Sequence, residues 1–384
     1  MGIELLIVHP PPAQFNRILR NGPRTNDADL GGFAFVSGLR FGSFSRQVNR
    51  SPSILTNMAF HESRTWREAV KTICRAGETP DNLGALRQAF RLLRLRPRFD
   101  AVVTMGPRAS LAYGLLCALL RRPSKQILTE VFLDFPRPAS AGWRIKTALF
   151  RRISRRALGL LTNSSGEVAL IARRFAIPEN RLRFVPMYTT IPDPGRRPGN
   201  DGTVVSIGRT LRDLDTLAAA ARLIDAPIVV VAGKRDRMPA DLPPNVRVLR
   251  EIPLAETHRL LAGAAVAVAP LQATERSTGQ VFIFEAMALG KPVVATRSVG
   301  TVDYLRDGEN GLLVEPGDAA GLAAAVNRLR NDPALADRLA AAALADCQAQ
   351  WMPDPHAARK LKAIGDLCRQ SQTAQETGTE SPPR

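Results

Sequence analysis

Aromatic residues are scarce in this chain of 384 amino acids, which holds three tyrosines and three tryptophans. It therefore has no array of stacking rings of the kind that lines a single-stranded nucleic acid, and no nucleic-acid-binding motif is recognised. Cysteine is equally sparse. Cys74, Cys117, Cys347 and Cys368 lie far apart and form no Cys-x-x-Cys pair, so neither a zinc site nor a disulfide framework is indicated. No apolar run reaches the ~20 residues that cross a bilayer, and the start lacks a charged region followed by a signal-like apolar core. The expectation is a cytoplasmic protein. Acidic residues are short in one half: residues 1–200 carry 32 Lys and Arg against 13 Asp and Glu, a balance of +19, whereas residues 201–384 carry 21 against 22. Such asymmetry points to an anionic partner of the first half, either a membrane surface or a nucleic acid.

What is present is a repeated alternation of strand-like and helix-like runs in a chain long enough for two cores. Ile3–Val8 reads as a first buried strand closed by His9 and three prolines, and Gly31, Gly32 and Gly38 mark turns in a stretch of mixed signals. Leu83, Leu86, Phe90 and Leu93 follow helical spacing; Phe99–Thr104 then reads as a strand running into the Gly106-Pro107 loop. Strand-like runs follow at Gln126–Glu130, Ala157–Thr162 and Arg183–Pro186. The segment 192–202 is rich in proline and glycine and reads as a linker. A second series begins at Thr203–Ile207, with a helix from about Asp213. Ile228–Ala232, Val246–Leu249, a helix near Glu256–Leu261, Ala265–Ala269, Pro292–Thr296 and Gly311–Val314 complete it. The rhythm is that of two doubly wound parallel α/β sheets, whose ligands bind at the C-terminal ends of the strands.

The run from Val281 to Thr296 carries the strongest functional signal. It reads as a helix holding Glu285, a stop at Gly290 and a buried strand, preceded by the turn Ser277-Thr278-Gly279-Gln280. The first amides of a helix lack intrahelical partners and sit at the positive end of its dipole, so this turn suits a phosphate. Glu285, one and a half turns further on, presents a carboxylate suited to the paired hydroxyls of a ribose. Phosphate plus ribose means a nucleotide.

These residues, with Gly290-Lys291-Pro292, Gly300–Asp303, Gly308–Gly311 and Val314–Asp318, resemble the nucleotide-sugar domain of the retaining glycosyltransferases of the GT-B fold, the group 1 and family 4-like type. The resemblance covers roughly the last half of the chain and weakens before about residue 100. It implies two facing Rossmann-like domains with a final helix, around His356–Leu367, that crosses back to the first. The implied division is an acceptor-side domain over 1–190, a linker over 191–202, a nucleotide-sugar domain over 203–350, the crossing helix over 351–370 and a disordered tail over 371–384.

By the same resemblance Arg209, after Gly208, lies on the donor diphosphate, with Arg212 as a second cation; a guanidinium suits phosphate because it is permanently charged and forked. The family carries two glutamates separated by seven residues, the first for the donor sugar and the second for the ribose. Glu285 occupies the second place and Ser277 the first, a departure that changes how the sugar hydroxyls are read; Glu275, two residues earlier, substitutes only if the loop is rearranged. Amides of Thr278, Gly279 and Gln280 complete the expected donor site. Together with Arg209 they can stabilise a leaving diphosphate without a metal or other cofactor. Asp27-Ala-Asp29 and Asp213-Leu-Asp215 imitate a metal-binding carboxylate pair, but Asp213 and Asp215 stand where a helix begins and suit its N-terminus.

Many relatives end a first-domain strand in a histidine; here that strand ends in Thr104-Met105. Glu130, with Asp134 close behind, is the candidate to position or deprotonate an acceptor hydroxyl, although pairing with nearby arginines explains both acids as well. His9, His61, His258 and His356 read as structural. In the helix Trp143–Ala157, the residues Ile145, Leu149, Ile153 and Ala157 recur at intervals of four among Arg144, Lys146, Arg151, Arg152, Arg155 and Arg156. With Arg87, Arg91, Arg94, Arg96 and Arg98 they suit an anionic lipid surface, unless the apolar stripe simply packs on the sheet.

The resulting expectation is a glycosyltransferase that moves a sugar from a nucleotide-diphosphate donor to a lipid-linked or membrane-proximal acceptor in envelope polysaccharide synthesis. It would act in the cytoplasm, attached peripherally to the inner face of the plasma membrane. Two alternatives stay open: a sugar-nucleotide epimerase of similar shape, and a basic nucleic-acid-binding protein.

Overall fold

The computed structural model describes residues 51–75, 78, 83–131, 140–197 and 199–376. The expected strand at Ile3–Val8, His9, the turns at Gly31, Gly32 and Gly38, the pair Asp27 and Asp29, Asp134 and the tail beyond residue 376 lie outside these residues.

The second half of the chain forms a parallel sheet of β7 (Val204–Ile207), β8 (Ile228–Ala232), β9 (Val246–Arg250), β10 (Val266–Ala269), β11 (Val293–Thr296) and β12 (Leu312–Val314). Their order is β12-β11-β10-β7-β8-β9. The central strands β10 and β11 are buried on both faces, which is why they read as unbroken apolar runs rather than alternating ones. The order reverses between β7 and β10, paired in parallel through Val266–Val204 and Ala267–Val205. A crevice opens at such a reversal beyond the carboxyl ends of the strands.

Helices cover this sheet on both sides. On one, α8 (Gln280–Ala288) is buried at every residue except Val281. Phe284 meets Tyr304 edge-on at 4.9 Å between ring centroids, and Tyr304 meets Trp351 at 5.4 Å. Each fully buried side chain of this size contributes roughly 1.5–3 kcal/mol. On the other side lie α6 (Leu214–Ala221) and α9 (Ala319–Asn331), packed around Leu217, Ile224, Leu322 and Val326. Asp213 caps α6, accepting from the Thr216 N–H at 3.0 Å and the Thr216 hydroxyl at 2.7 Å. Both carboxylate oxygens of Asp213 thus serve the helix start, as its position implied.

The first half forms a second parallel sheet, ordered β2-β1-β3-β4-β5-β6, from β1 (Ile54–Thr56), β2 (Val70–Thr72), β3 (Ala101–Met105), β4 (Gln126–Thr129), β5 (Gly159–Thr162) and β6 (Leu182–Phe184). One face carries α2 (Ala85–Leu95), α3 (Pro107–Leu119), α4 (Ala141–Ser154) and α5 (Gly166–Phe175). The opposite face carries α1 (Arg64–Ala69) and α11 (Pro353–Glu376). α11 follows α10 (Pro333–Gln350) and crosses back from the second half. It seats Ala357, Ile364, Leu367 and Cys368 against Ile54, Val103, Ile127 and Leu161. A Cβ on Gly159 would meet Leu367 at 2.7 Å, so the glycine lets helix and strand approach. The helix runs to Glu376, past the expected end at residue 370.

Two surface expectations change. On α2, Leu83 and Leu92 point inward, but Leu86 and Phe90 stand 70% and 59% exposed. On α4 the apolar stripe turns inward: Phe150, Ile153 and Ala157 pack beside Leu128, Leu160 and Phe175, leaving Ile145 outside. The stripe is therefore core over most of its length, because its C-terminal half lies over the sheet. Of the α2 arginines, Arg91 pairs with Glu78 at 2.5 Å and Arg96 is buried against the Pro123 carbonyl, whereas Arg87, Arg94 and Arg98 are exposed.

Candidate active site

The loops that follow β7 and β10 meet at the strand-order reversal of the second sheet. After β7, Gly208 adopts φ +148° and the chain turns so that the Arg212 guanidinium lies against it. A side chain at 208 would be strained by that φ and would collide with the guanidinium. After β10, Leu271 bridges to Arg212, the Gln272 N–H donates to the Leu211 carbonyl at 3.0 Å, and the Thr278 hydroxyl donates to the Thr210 carbonyl at 3.2 Å. Gly208–Arg212 and Leu271–Thr278 are thus stitched into one surface.

Gly279 caps α8 with φ +86°, the left-handed conformation that glycine adopts without strain, and its α-carbon faces Leu271. The amides opening α8 have no intrahelical partner, and the helix dipole is positive there. Gly300 fixes this turn from behind: a Cβ on it would meet the Thr278 backbone nitrogen at 2.5 Å and its carbonyl oxygen at 2.7 Å. The first half reaches the turn as well. Glu167 of α5 accepts from the Ser277 N–H at 2.9 Å, and the Gln280 side chain donates to the Asn163 carbonyl at 3.1 Å. The Ser277 amide is consequently occupied by a protein carboxylate, and Ser277 itself is buried.

The two arginines separate in role. Arg209 is half exposed, lies across Gly233 after β8, and has its guanidinium 3.7 Å from Glu251. An exposed contact of that length holds it weakly and leaves the fork free to turn onto an anion. Arg212 instead donates to the Ile207 carbonyl at 2.8 and 3.3 Å and to the Thr210 carbonyl at 3.4 Å. Its donors brace the Gly208 loop rather than extend into the crevice. Burial pulls its pKa down to about 10, opposed by Asp236, so it remains a cation that adds positive charge beneath the loop.

Glu285 is buried on the second turn of α8. Its Oε1 accepts from the Thr190 hydroxyl at 2.9 Å and faces His258 Nε2 at 3.3 Å. His258, on α7 (Leu254–Gly263), therefore belongs to the site, contrary to its expected bland role. Nothing in the local sequence marks it: the contact spans 27 residues and that of Thr190 spans 95. Glu275 points away, 3.9 Å from Arg174, and does not fill the place of the first glutamate.

On the opposite sheet, β4 ends at Thr129 and Glu130 follows with φ +52°. Its carboxylate lies 3.5 Å from the buried ammonium of Lys360 on α11. His61 is exposed. His356 is buried, donates from Nδ1 to the Pro186 carbonyl at 2.6 Å and is held neutral by desolvation, its pKa lowered to about 3. Among the described residues no cluster of three metal-ligating side chains occurs.

Residues 56–187 match the glycosyl transferase 4-like domain, and residues 201–332 match the family described as glycosyl transferases group 1. The chain is 47% identical over 77 residues to the lipopolysaccharide core biosynthesis glycosyltransferase LpsE of Rhizobium meliloti (strain 1021), covering 20% of this chain and 22% of that one. It is 32% identical over 218 residues to the D-inositol 3-phosphate glycosyltransferase of Acidothermus cellulolyticus, covering 48% of each. The matched segments span about half or less of these curated relatives. HepE of Anabaena, solved in complex with UDP-glucose, superposes with a TM-score of 0.58 at 15% identity, over 84% of this chain and 100% of that one, a likeness of fold. With both matches in tandem, each falling on one of two facing parallel sheets, the chain belongs to the GT-B glycosyltransferases of the group 1 and 4-like type.

Proposed function

We propose that the chain transfers a sugar from a nucleotide-diphosphate donor to a lipid-linked or membrane-proximal acceptor during assembly of an envelope glycan, with retention of anomeric configuration. The second sheet would hold the donor. The observation that carries this reading is the junction of the Gly208 and Gly279 loops through Thr278 and Thr210 at the strand-order reversal, with Glu285 on the helix that the second loop opens. Diphosphate oxygens would take the amides of Thr278, Gly279 and Gln280 and the Arg209 guanidinium, and the ribose would take Glu285. Charge developing on the leaving diphosphate would then meet fixed dipoles and a cation, so no metal is required by the proposed chemistry.

The acceptor would enter from the first sheet, beside Glu130. Attachment to an anionic membrane fits the exposed Leu86 and Phe90, one turn apart on α2 among Arg87 and Arg94, and Ile145 on α4 between Arg144 and Lys146. All lie on helices of one layer. Each basic residue at such a surface contributes about 1 kcal/mol. Among the described residues no helix is long and apolar enough to cross a membrane.

Thermal-shift measurement against a panel of nucleotide sugars tests the donor site. One family of donors should raise the melting temperature, and Glu285→Ala and Arg209→Ala should each abolish the rise. Equal stabilisation of the variants would place the site elsewhere. Sedimentation with phosphatidylglycerol vesicles, compared with phosphatidylcholine vesicles and duplex DNA over a salt series, tests the surface. Leu86→Ala/Phe90→Ala should lose vesicle binding, whereas preference for DNA would favour the nucleic-acid alternative.

A further inference from the structure

Lys360 is 2% exposed, and its side chain comes from α11, the last helix of the chain, into the first sheet's end of the crevice. An ammonium is rarely enclosed to this degree without a partner. Its Nζ stands 3.5 Å from Glu130 Oε1, 3.9 Å from the Met58 sulfur and 5.7 Å from the centre of the Trp66 ring. Phe60, Tyr188 and His356 stack beside these groups, Phe60 to Tyr188 at 4.7 Å and Tyr188 to His356 at 4.8 Å. The ion pair therefore lies against an apolar, aromatic wall.

Glu130 is unusual in its own right. It holds φ +52°, a conformation that costs a non-glycine residue of order 1 kcal/mol or more and persists only where the surroundings enforce it. Its side chain keeps 21% of its surface open. A strained carboxylate at the carboxyl end of a parallel strand, open on one side and tethered on the other, is placed to meet a ligand. Exchanging a buried ion pair for apolar side chains is often neutral or stabilising, so stability alone does not account for an enclosed lysine here.

We propose that Lys360 is a positioning residue for Glu130, fixing the direction and charge of the carboxylate that takes the proton of the acceptor hydroxyl. This rests on the donor and acceptor assignment given above. In the step, the acceptor oxygen bonds to the anomeric carbon, and its proton passes to Glu130. The bond from that carbon to the diphosphate oxygen breaks, and its electron pair leaves with the diphosphate. The charged and titratable groups around the pair are Glu62 and Tyr188, which face Glu130, and His356 and Arg359 on the same helix as Lys360. Burial keeps His356 neutral and Tyr188 protonated. Among the described residues Lys360 is the ion-pair partner of Glu130.

The test uses transfer of sugar to water, which needs no identified acceptor: release of UDP from UDP-glucose, or of the nucleoside diphosphate from whichever donor the thermal-shift panel selects. Glu130→Gln should slow release by at least about 100-fold, within the usual range for losing a general base. Lys360→Met should lower turnover at least tenfold and move the acidic limb of the pH–rate profile up by a unit or more, since a carboxylate without its cation protonates more readily. Lys360→Arg should restore turnover to within about fivefold and return the limb. Lys360→Gln, which keeps a donor in the same space, serves with the same expected shift where the methionine variant does not fold. Donor-induced stabilisation should be unchanged in all four variants. An acidic limb that stays in place in Lys360→Met or Lys360→Gln overturns the proposal, as does wild-type turnover in either. Donors that fail to stabilise the wild-type chain overturn the donor-site reading itself.

Discussion

Glu167 and Ser277 join the two halves of the molecule: the carboxylate on α5 accepts from the backbone N–H that opens the turn before α8, at 2.9 Å. Around it, the Ser165 hydroxyl and N–H donate to Asp303 at 2.6 and 2.8 Å, and Tyr304 donates to the Asn163 carbonyl at 2.5 Å. The turn after β5 therefore grips the donor-side loops from the opposite sheet.

Burial raises the pKa of Glu167, with bonds from Ser277 opposing the shift. An acid whose folded pKa lies above its unfolded value binds more protons when folded, so its contribution to stability is present at low pH and is lost as pH rises through the folded pKa. Glu167→Gln keeps an acceptor for the Ser277 amide and removes the buried charge. Its melting temperature should exceed that of wild type at pH 7.5, and the difference should shrink as pH falls toward 4.5. A variant that melts lower than wild type at pH 7.5 would show that the charge itself is needed.

Gly300 has backbone, not side chain, within 2.5 Å of where a Cβ would stand. Gly300→Ala must displace Thr278, at a cost of about 1–3 kcal/mol typical of overpacking. Donor affinity should drop more than tenfold while far-ultraviolet circular dichroism stays that of wild type. Titration calorimetry showing an unchanged dissociation constant would detach the turn from donor binding.

Thr190 and His258 hold one oxygen of Glu285. A hydrogen bond to a charged group is worth about 1.5–3 kcal/mol. Thr190→Val and His258→Ala should each weaken donor binding by about tenfold, the affinity equivalent of about 1.4 kcal/mol. Because both act on the same carboxylate, the double variant should lose less than the product of the two. Strict additivity in the cycle would separate them.

His356 gives a stability window on the acid side. Its pKa is lowered from 6.5 to about 3 in the fold by desolvation, assisted by Lys360. The unfolded chain therefore binds the proton first, and the stability owed to neutral His356 is present above pH 6.5 and lost as pH falls toward 3. Melting temperature should drop between pH 7 and pH 4.5, and His356→Asn, which keeps a donor for the Pro186 carbonyl, should show a smaller drop. Parallel pH dependences would count against it.

The second sheet was plain in the sequence because β8, β10 and β11 are apolar on both faces and are punctuated by glycines whose φ is positive, Gly208, Gly279 and Gly290. The strands β1 and β2 were not, since three-residue strands flanking the short helix α1 carry too few side chains to establish a period. Within the candidate site, Gly279 and Glu285 follow from local pattern. Glu167, Thr190, His258 and Lys360 do not, because each enters through a tertiary contact that spacing along the chain does not encode. Leu86 and Phe90 show the reverse limit: helical spacing marks them as a pair without saying which way the pair faces.

The final helix has a mechanical consequence. The chain passes between the halves twice, near residue 189 and near residue 351, and the Thr189 N–H donates to the Trp351 carbonyl at 2.8 Å, binding the two passages side by side. Two leaves sewn along one spine swing about that line and resist sliding or shearing across it. A crevice built this way can gape and shut while its two rims keep their register.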